Sequence, residues 1–572
     1  MKPQAVRRID IEAVKSLPVV HPECKEFFNQ AYEWASNPAK YEELFDQGWE
    51  TTVRKARLPQ KYVDAMAKCG KIEPCTTTPR AGMDVFPRYE DAKNRDRIIM
   101  APDSNKMPIE RKKIRYPTKV EIREQGMHGE GDTQFDFSAH FDQLEVKAKV
   151  RPFRAFYDSK GRAWQSCVVS MGECGGPDNA QGVTWILLDF ERPPTVKVSS
   201  MIDNTRFVGP LRDRRIAAIE FLKRCKKINV LINDLDLDKI DLEACDVDDE
   251  ESIAFLRDFE KDEGPFLGEH YNYVTKERSL IEKTTKKLEV SWERRDKWTH
   301  RNYAAHWGLL FYGSRVLDVK LADRYEALRK FSNTAAKLAD DPELWDQPIS
   351  HDQYHGEAFR QLEGLTYWLR ANKPVPLCGE KNFTDADLTI IADASRWGWG
   401  AISIARDGTV EFARGKWPEH LHEKMARSTA AEPEAAYQAM LRFVHVNHKT
   451  VRFLTDHQAI QFAHEAGRAK GYDVNLLVHR MNSHFVDTRF HVAHLPGKRN
   501  PTDGISRGKE LTADDLDLAK ELKDEYEVAA VKREKGSNET RLTSAADDWV
   551  TKSDNSLESK SLPRSADNTW MM

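Results

Sequence analysis

Five apolar or β-branched residues in a row, Leu388-Thr389-Ile390-Ile391-Ala392, lead into a single carboxylate, Asp393. A run of that length and composition reads as a strand buried on both faces. Gly398 and Gly400 are expected in a small-residue turn, followed by a second strand at Ala401–Ile404. Arg406-Asp407-Gly408-Thr409 carries an Asp-Gly hairpin signal, and Val410–Trp417 supplies a third strand. Asp393 therefore ends the first, central strand of an antiparallel meander.

The chain beyond extends this into a βββαβαβα order. Glu432 is expected to open a helix, AEPEAAYQAMLRFV, with Ala436, Met440 and Phe443 facing inward. Thr450–Leu454 is a β-branched strand that ends on Thr455-Asp456 as the next helix begins. A helix near Asn475–Phe485 leads to a strand over Arg489–Leu495, and a Pro-Gly-Lys turn leads on to Asp503. Asp393, Glu432, Asp456 and Asp503 thus stand at strand or helix ends. One such acid is most often a helix cap or a solvated turn. Four in this order suit two divalent metals about 4 Å apart, which clamp the attacking and leaving oxygens of a phosphodiester.

Asp393–Arg507 resembles a ribonuclease H domain of a retroelement. TDHQA matches the family's Thr-Asp-Ser/His signature, EPEA its Glu-x-x-Ala helix start, and HLPGKRNPTDGISR its Pro-Gly-Lys-x-Asn-x-x-Asp-x-x-Ser-Arg ending. Where some members place a histidine in the loop before the last aspartate, this loop holds Lys498 and Arg499; His494 lies earlier, on a strand, and reads as structural. The resemblance implies that Asp393 bridges two Mg2+ or Mn2+ ions, that Glu432 and Asp456 hold one of them and that Asp503 holds the other.

At 572 residues the chain exceeds one core, and 40% hydrophobic with 31% charged residues describes a soluble globular protein. No apolar run approaches the ~20 residues of a membrane span. The start, MKPQAVRRIDIEAV, lacks the apolar core of a signal peptide. Eight cysteines without a CxxC pair read as reduced thiols, so an intracellular, cytoplasmic or nuclear protein is expected. The net charge of -4 is unevenly spread. Residues 509–572 hold 10 basic and 15 acidic residues, leaving 78 and 77 for the rest. Asp234–Glu263 alone has 14 acids against 3 bases, so what remains carries about +12, enough for a basic nucleic-acid groove.

Upstream, residues 1–80 read as amphipathic helices. Lys93–Arg123, with 10 bases and 4 acids around a short apolar strand, fits a β-ribbon that grips phosphates. A strand ends at Asp136 within QFDFSAHFDQL; a hairpin spans Arg154–Val169; Asn179–Leu188 reads as a helix; and a strand over Pro194–Ser200 ends in Met201-Ile202-Asp203-Asn204. Asp136 and Asp203 are expected to meet across adjacent strands. This order resembles the palm of a reverse transcriptase. The resemblance implies that Asp136 and Asp203 are the metal ligands of a polymerase site, again with two ions. It puts Phe141 at a steric gate, Gly172 beneath template and nucleotide, and Arg97 near the incoming triphosphate. Two positions depart from the family's Tyr-x-Asp-Asp: Met201 and Asn204, the latter offering an oxygen without a charge. PFLG at 265–268 resembles the hairpin after the palm, and Lys276–Arg301, with Trp292 and Trp298, suits a thumb helix on a duplex as well as it suits an ordinary amphipathic helix. Trp307–Leu328 reads as one long helix.

The expected fold is α/β (α+β): a right-hand polymerase of fingers, palm and thumb, followed by a ribonuclease H-like domain with a mixed five-stranded sheet and flanking helices. The expected division is a helical extension (1–80), fingers and palm (81–260), thumb and connection (261–345), linker (346–380), ribonuclease H (381–508) and an acidic, largely disordered tail (509–572) that begins with a helix-forming piece, Ala513–Val531. The combination of ADASRWGWGAI with IDN is similar to tyrosine-recombinase retroelements of the DIRS and VIPER group. Implied partners are an RNA template, a DNA primer, an RNA–DNA hybrid, deoxynucleoside triphosphates and element-encoded proteins, with no membrane. Three readings stand: an enzyme with both activities, a ribonuclease H with a defective polymerase, and a domesticated, non-catalytic nucleic-acid-binding scaffold. The acidic Asp234–Glu263 segment is expected to be a partner-binding loop.

Overall fold

The computed structural model describes residues 7–90, 95–107, 116–349, 356–378 and 385–539. The expected disorder after residue 540 lies outside them, as does the turn of the basic ribbon. Two compact units divide the chain, one up to Asp262 and one over Glu263–Glu539.

The first unit is built on a four-stranded antiparallel sheet: β1 (Asp132–Asp136), β2 (Lys197–Met201), β3 (Asn204–Val208) and β4 (Glu260–Lys261), in the order β2-β3-β1-β4. Helices α1 (Gly176–Leu188) and α2 (Leu211–Lys227) share one core with it, where Val183, Ile186, Phe221 and Leu222 meet Phe135, Phe137 and Phe207. The N-terminal helices belong to the same core through Val14, Phe28 and Tyr32. Gly182 permits this, since a Cβ there would lie 3.2 Å from the Phe28 ring. The segment 9–49 is therefore part of the core of the first unit. Met83–Glu90 and Arg95–Pro102 form the expected two-stranded ribbon.

The acidic segment behaves differently from expectation. Leu237, Leu242, Ile253 and Leu256 are buried in the core, and its acids pair with the basic face of α2. Arg212 meets Asp248 at 2.9 Å, Arg215 meets Glu260 at 2.7 Å, and Lys223 meets Glu243 at 2.9 Å. Part of its charge is met by α2, because a helix with seven Lys or Arg, from Arg212 to Lys227, needs a counter-charge where it packs.

The second unit opens with a hairpin, Glu263–Phe266 to Glu269–Asn272. Its two-residue turn has Leu267 at φ 46 and Gly268 at φ 88, the positive values a tight hairpin turn demands. Helices Glu282–Glu293, His300–Val316, Tyr325–Asp340 and Glu357–Ala371 pack around Trp292, Trp298, Trp307, Leu365 and Leu369. Three expectations are corrected here. Trp292 and Trp298 are each 3% exposed, so they serve the core and not a bound strand. The long helix breaks at Leu317–Lys320, where Asp318 has φ 52. The segment read as a linker carries a 15-residue helix and a strand, Val375–Pro376, that closes the hairpin sheet.

The five-stranded sheet of the second unit comprises β5 (Leu388–Ala394), β6 (Gly398–Ala405), β7 (Val410–Lys416), β8 (Thr450–Thr455) and β9 (Arg489–His494), in the order β7-β6-β5-β8-β9. β5 is antiparallel to β6 and parallel to β8, and β8 is parallel to β9. This is the mixed five-stranded sheet that the sequence predicts. Gly398 and Gly400 lie inside β6, however, and not in a turn. A Cβ on Gly400 would come within 2.7 Å of the Ser506 amide, so glycine lets the short helix Asp503–Ser506 cross the strand. Alternation along β5 feeds two cores. Ile390 and Ala392 pack with α3 (Ser428–Phe443) and, beyond α4 (Gln458–Ala466), with α5 (Tyr472–His484). Ile391 packs with Ile402, Leu454 and Leu495 under α6 (Ala513–Glu539), whose Ala519 and Leu522 are fully buried. The helix-forming start of the acidic tail thus covers one face of the sheet. Among the described residues no helix is long and apolar enough to cross a membrane.

Leu522→Ala should therefore destabilise the second unit by about 2–5 kcal/mol, as large-to-small core changes do. Urea denaturation followed by circular dichroism checks this, and a loss below about 0.5 kcal/mol would show that α6 is not part of the fold.

Candidate functional site

The parallel register of β5 and β8 pairs Ile391 with Leu454, and carrying it two residues further sets Asp393 opposite Asp456. Two carboxylates thus leave adjacent parallel strands at the same end. Glu432 joins them from α3, which begins at Ser428, so Glu432 lies in the second turn and does not open the helix as expected. One oxygen from each of Asp393, Glu432 and Asp456 lies within 4.8 Å of the others.

Asp393 is 5% exposed and is held from the C-terminal loop. Ser506 Oγ donates to its Oδ2 at 2.6 Å, and Asn500 Nδ2 donates to its Oδ1 at 3.2 Å. Neither positioning residue was singled out from the sequence, although both lie in the motif that contains Asp503. Asp503 stands outside the group of three. Its side chain is half exposed and accepts from Arg507 at 2.6 Å, although its charge still acts on Asp393 and Glu432. Gly497 lies against Asp456, where a Cβ would sit 3.0 Å from Oδ2.

Burial and mutual repulsion dominate the electrostatics. Burial, with the charges of Asp456 and Asp503, pushes Asp393 up to about 6 against the hydrogen bond from Ser506. Burial, then Asp393 and Asp456, pushes Glu432 up to about 9. Desolvated carboxylates crowded this closely call for a positive charge between them. The donors are all oxygens, which matches a hard divalent cation such as Mg2+ or Mn2+.

In the first unit, Asp136 ends β1 exposed to solvent and pairs in register with Asn204. The amide of Phe137 donates to the Asp203 carbonyl at 3.0 Å, so Asp136 and Asp203 share one end of the sheet. The β2–β3 turn is Ile202-Asp203, with Ile202 at φ 59, a costly conformation for a β-branched residue. Helix α1 clamps it: the Ile202 amide donates to Gln181 Oε1 at 2.5 Å, and Thr184 Oγ1 donates to the Ile202 carbonyl at 2.6 Å. Asn204 Nδ2 donates to Asp203 Oδ1 at 2.9 Å, and Asn233 Nδ2 donates to Asp136 Oδ2 at 2.6 Å. Asn233 lies 97 positions from Asp136, with no motif to mark it. Among the described residues no three ligating groups cluster here.

The other candidates fall around this sheet. Phe141 is half-buried on a short helix, His140–Gln143, with its ring 3.3 Å from where a Cβ of Gly176 would be. Gly172 fits against the ribbon, since a Cβ would lie 2.6 Å from the Met100 carbonyl oxygen. Arg97, on the ribbon, faces Arg88 in register and lies 3.5 Å from Glu90.

The raised Glu432 carboxyl makes metal-free stability depend on pH. Its proton is bound more tightly in the folded chain, so this stability is fully present below the usual value near 4.5 and lost as pH rises through about 9. In EDTA, Glu432→Gln should gain melting temperature relative to wild type progressively from about pH 5 to about pH 9. A difference that stays constant over that range would show that Glu432 is not crowded by the other carboxylates.

No protein-family model and no curated protein matches the chain. Among solved structures, the foamy viral protease-reverse transcriptase in complex with dsDNA aligns with TM-score 0.40 and 12% identity over 86% of this chain and 99% of that one. The same viral protein in complex with RNA/DNA hybrid aligns with TM-score 0.40 and 13% identity over 86% of this chain and 64% of that one.

Proposed function

We propose that the chain is a reverse transcriptase with ribonuclease H activity, combining RNA- and DNA-templated DNA synthesis with cleavage of the RNA strand of hybrids in the replication of a retroelement. The observation that carries this reading is the convergence of Asp393, Glu432 and Asp456 at one end of a β7-β6-β5-β8-β9 sheet. Asp393, Glu432 and Asp456 would hold divalent metal, and Asp503 would join them once released from Arg507. Bound Mg2+ or Mn2+ supplies charge for the attacking water and the leaving oxygen. Ser506 and Asn500 keep Asp393 oriented, so that its charge needs no rearrangement during the reaction. The element class we favour is the tyrosine-recombinase group, on ADASRWGWGAI and IDN.

In the first unit, Asp136 and Asp203 are assigned to a polymerase site, with Arg97 toward the triphosphate, Gly172 beneath the template, Phe141 against the ribose of deoxynucleoside triphosphates, and template RNA and primer DNA as partners. A second reading, a ribonuclease H with a defective polymerase, is favoured by Asn204. Its amide occupies an oxygen of Asp203, and two carboxylates neutralise a divalent ion less well than three.

Asp393→Asn should lower hybrid cleavage by at least about a hundredfold with an unchanged melting temperature. Cleavage at the wild-type rate by that variant would sink the assignment. In primer extension, Asn204→Asp should preserve or raise synthesis, and Phe141→Val should admit ribonucleotides while retaining deoxynucleotide incorporation. If neither wild type nor Asn204→Asp extends a primer with Mg2+ or Mn2+, the second reading holds.

A further inference from the structure

The β5–β6 hairpin that carries Asp393 closes on Arg396-Trp397. Ala394 pairs with Trp399, and the Ser395 amide donates to the Gly398 carbonyl at 2.8 Å, leaving those two residues at the tip. Trp397 is 56% exposed, an expensive placement for an indole unless something covers it in use. The tip is nevertheless fixed. The amides of Trp397 and Gly398 donate to Ser395 Oγ at 3.2 and 3.1 Å, and that hydroxyl donates to the Ser506 carbonyl at 2.7 Å. Ser506 is the residue whose own hydroxyl holds Asp393. The Trp417 amide donates to the Trp397 carbonyl at 2.9 Å, and the His422 ring stands edge-on to the indole at 5.1 Å.

Arg396 is exposed, with its guanidinium 4.9 Å from the centre of the Trp397 ring and no ion pair among the described residues. A guanidinium beside an exposed aromatic, on a turn tied through Ser395 to the residue that positions Asp393, provides a charge for a phosphate and a flat face for a sugar or base. Four residues of strand rise span roughly 13 Å at most. At about 3.4 Å per nucleotide along a strand, a chain crossing Asp393 meets the tip within about four nucleotides.

We propose that Arg396 and Trp397 form a binding subsite for the nucleic-acid strand that crosses the carboxylates: Trp397 packs on a sugar–base face, and Arg396 pairs with the adjoining phosphate. This rests on the ribonuclease H reading. Because the tip is held before substrate arrives, little ordering opposes the contact.

The test uses the full chain and a defined RNA–DNA hybrid. Trp397→Ala should raise KM for cleavage roughly tenfold with kcat within about twofold, and Trp397→Phe should restore most of the loss. In the slow-cleaving Asp393→Asn background, Arg396→Gln should lower the slope of log affinity against log salt by about one, whereas Trp397→Ala leaves that slope unchanged. Unchanged KM in Trp397→Ala, or an unchanged salt slope in Arg396→Gln, overturns the subsite. If wild type cleaves no hybrid, the ribonuclease reading fails, and the binding arm alone decides whether the tip grips nucleic acid.

Discussion

Three carboxylates share a space of under 5 Å at the end of the five-stranded sheet, and most of the surrounding architecture serves to hold them there. Left alone they repel one another, and burial makes each charge costlier. The chain withstands this because each acid is fixed by a different element. Asp393 extends a strand buried on both faces, Asp456 follows its parallel neighbour, and Glu432 is borne by a helix locked through Ala436, Met440 and Phe443. The C-terminal loop then donates hydrogen bonds to Asp393. Removing any of these supports would let the acids relax apart, which is the cheaper arrangement without a cation.

A similar economy governs the first unit by other means. There the two aspartates are set by the antiparallel pairing of β1 with β3 and by a tight β2–β3 turn. The turn stores strain at Ile202, and two side chains from α1, Gln181 and Thr184, absorb it with hydrogen bonds on both sides of that residue. Helix α1 in turn is seated on the N-terminal helix that carries Phe28. A contact made by residue 28 thus bears on the placement of residue 203.

Charge is organised on the same principle. The acidic segment after α2 satisfies that helix within the molecule, whereas Arg396 is left without an ion pair among the described residues. Arg499, on the loop against Asp456, is bound by Glu521 and Glu525 of α6, so the helix that covers the sheet also steadies an edge of the site.

The sequence by itself determined the number and chain order of the strands in the mixed five-stranded sheet, the acids at the ends of its elements, and an Asp136 that ends a strand. Hydrophobic periodicity and turn residues are local, and local signals suffice to count strands and to place an acid at a strand end. Tertiary structure decided the rest. The glycines of GWG look like a turn but are strand positions emptied for the crossing of Ser506. Trp292 and Trp298 look like stacking residues but fill a core. The acidic run looks like a docking loop, yet four of its acids are taken up by α2. Asp503 looks equivalent to the other three acids but stands apart beside Arg507, and α6 reads as a helix in the sequence but gains its place on a sheet face only by packing. In each case the deciding contact lies far away in sequence or depends on which face of an element is covered. Such information enters only when the elements pack.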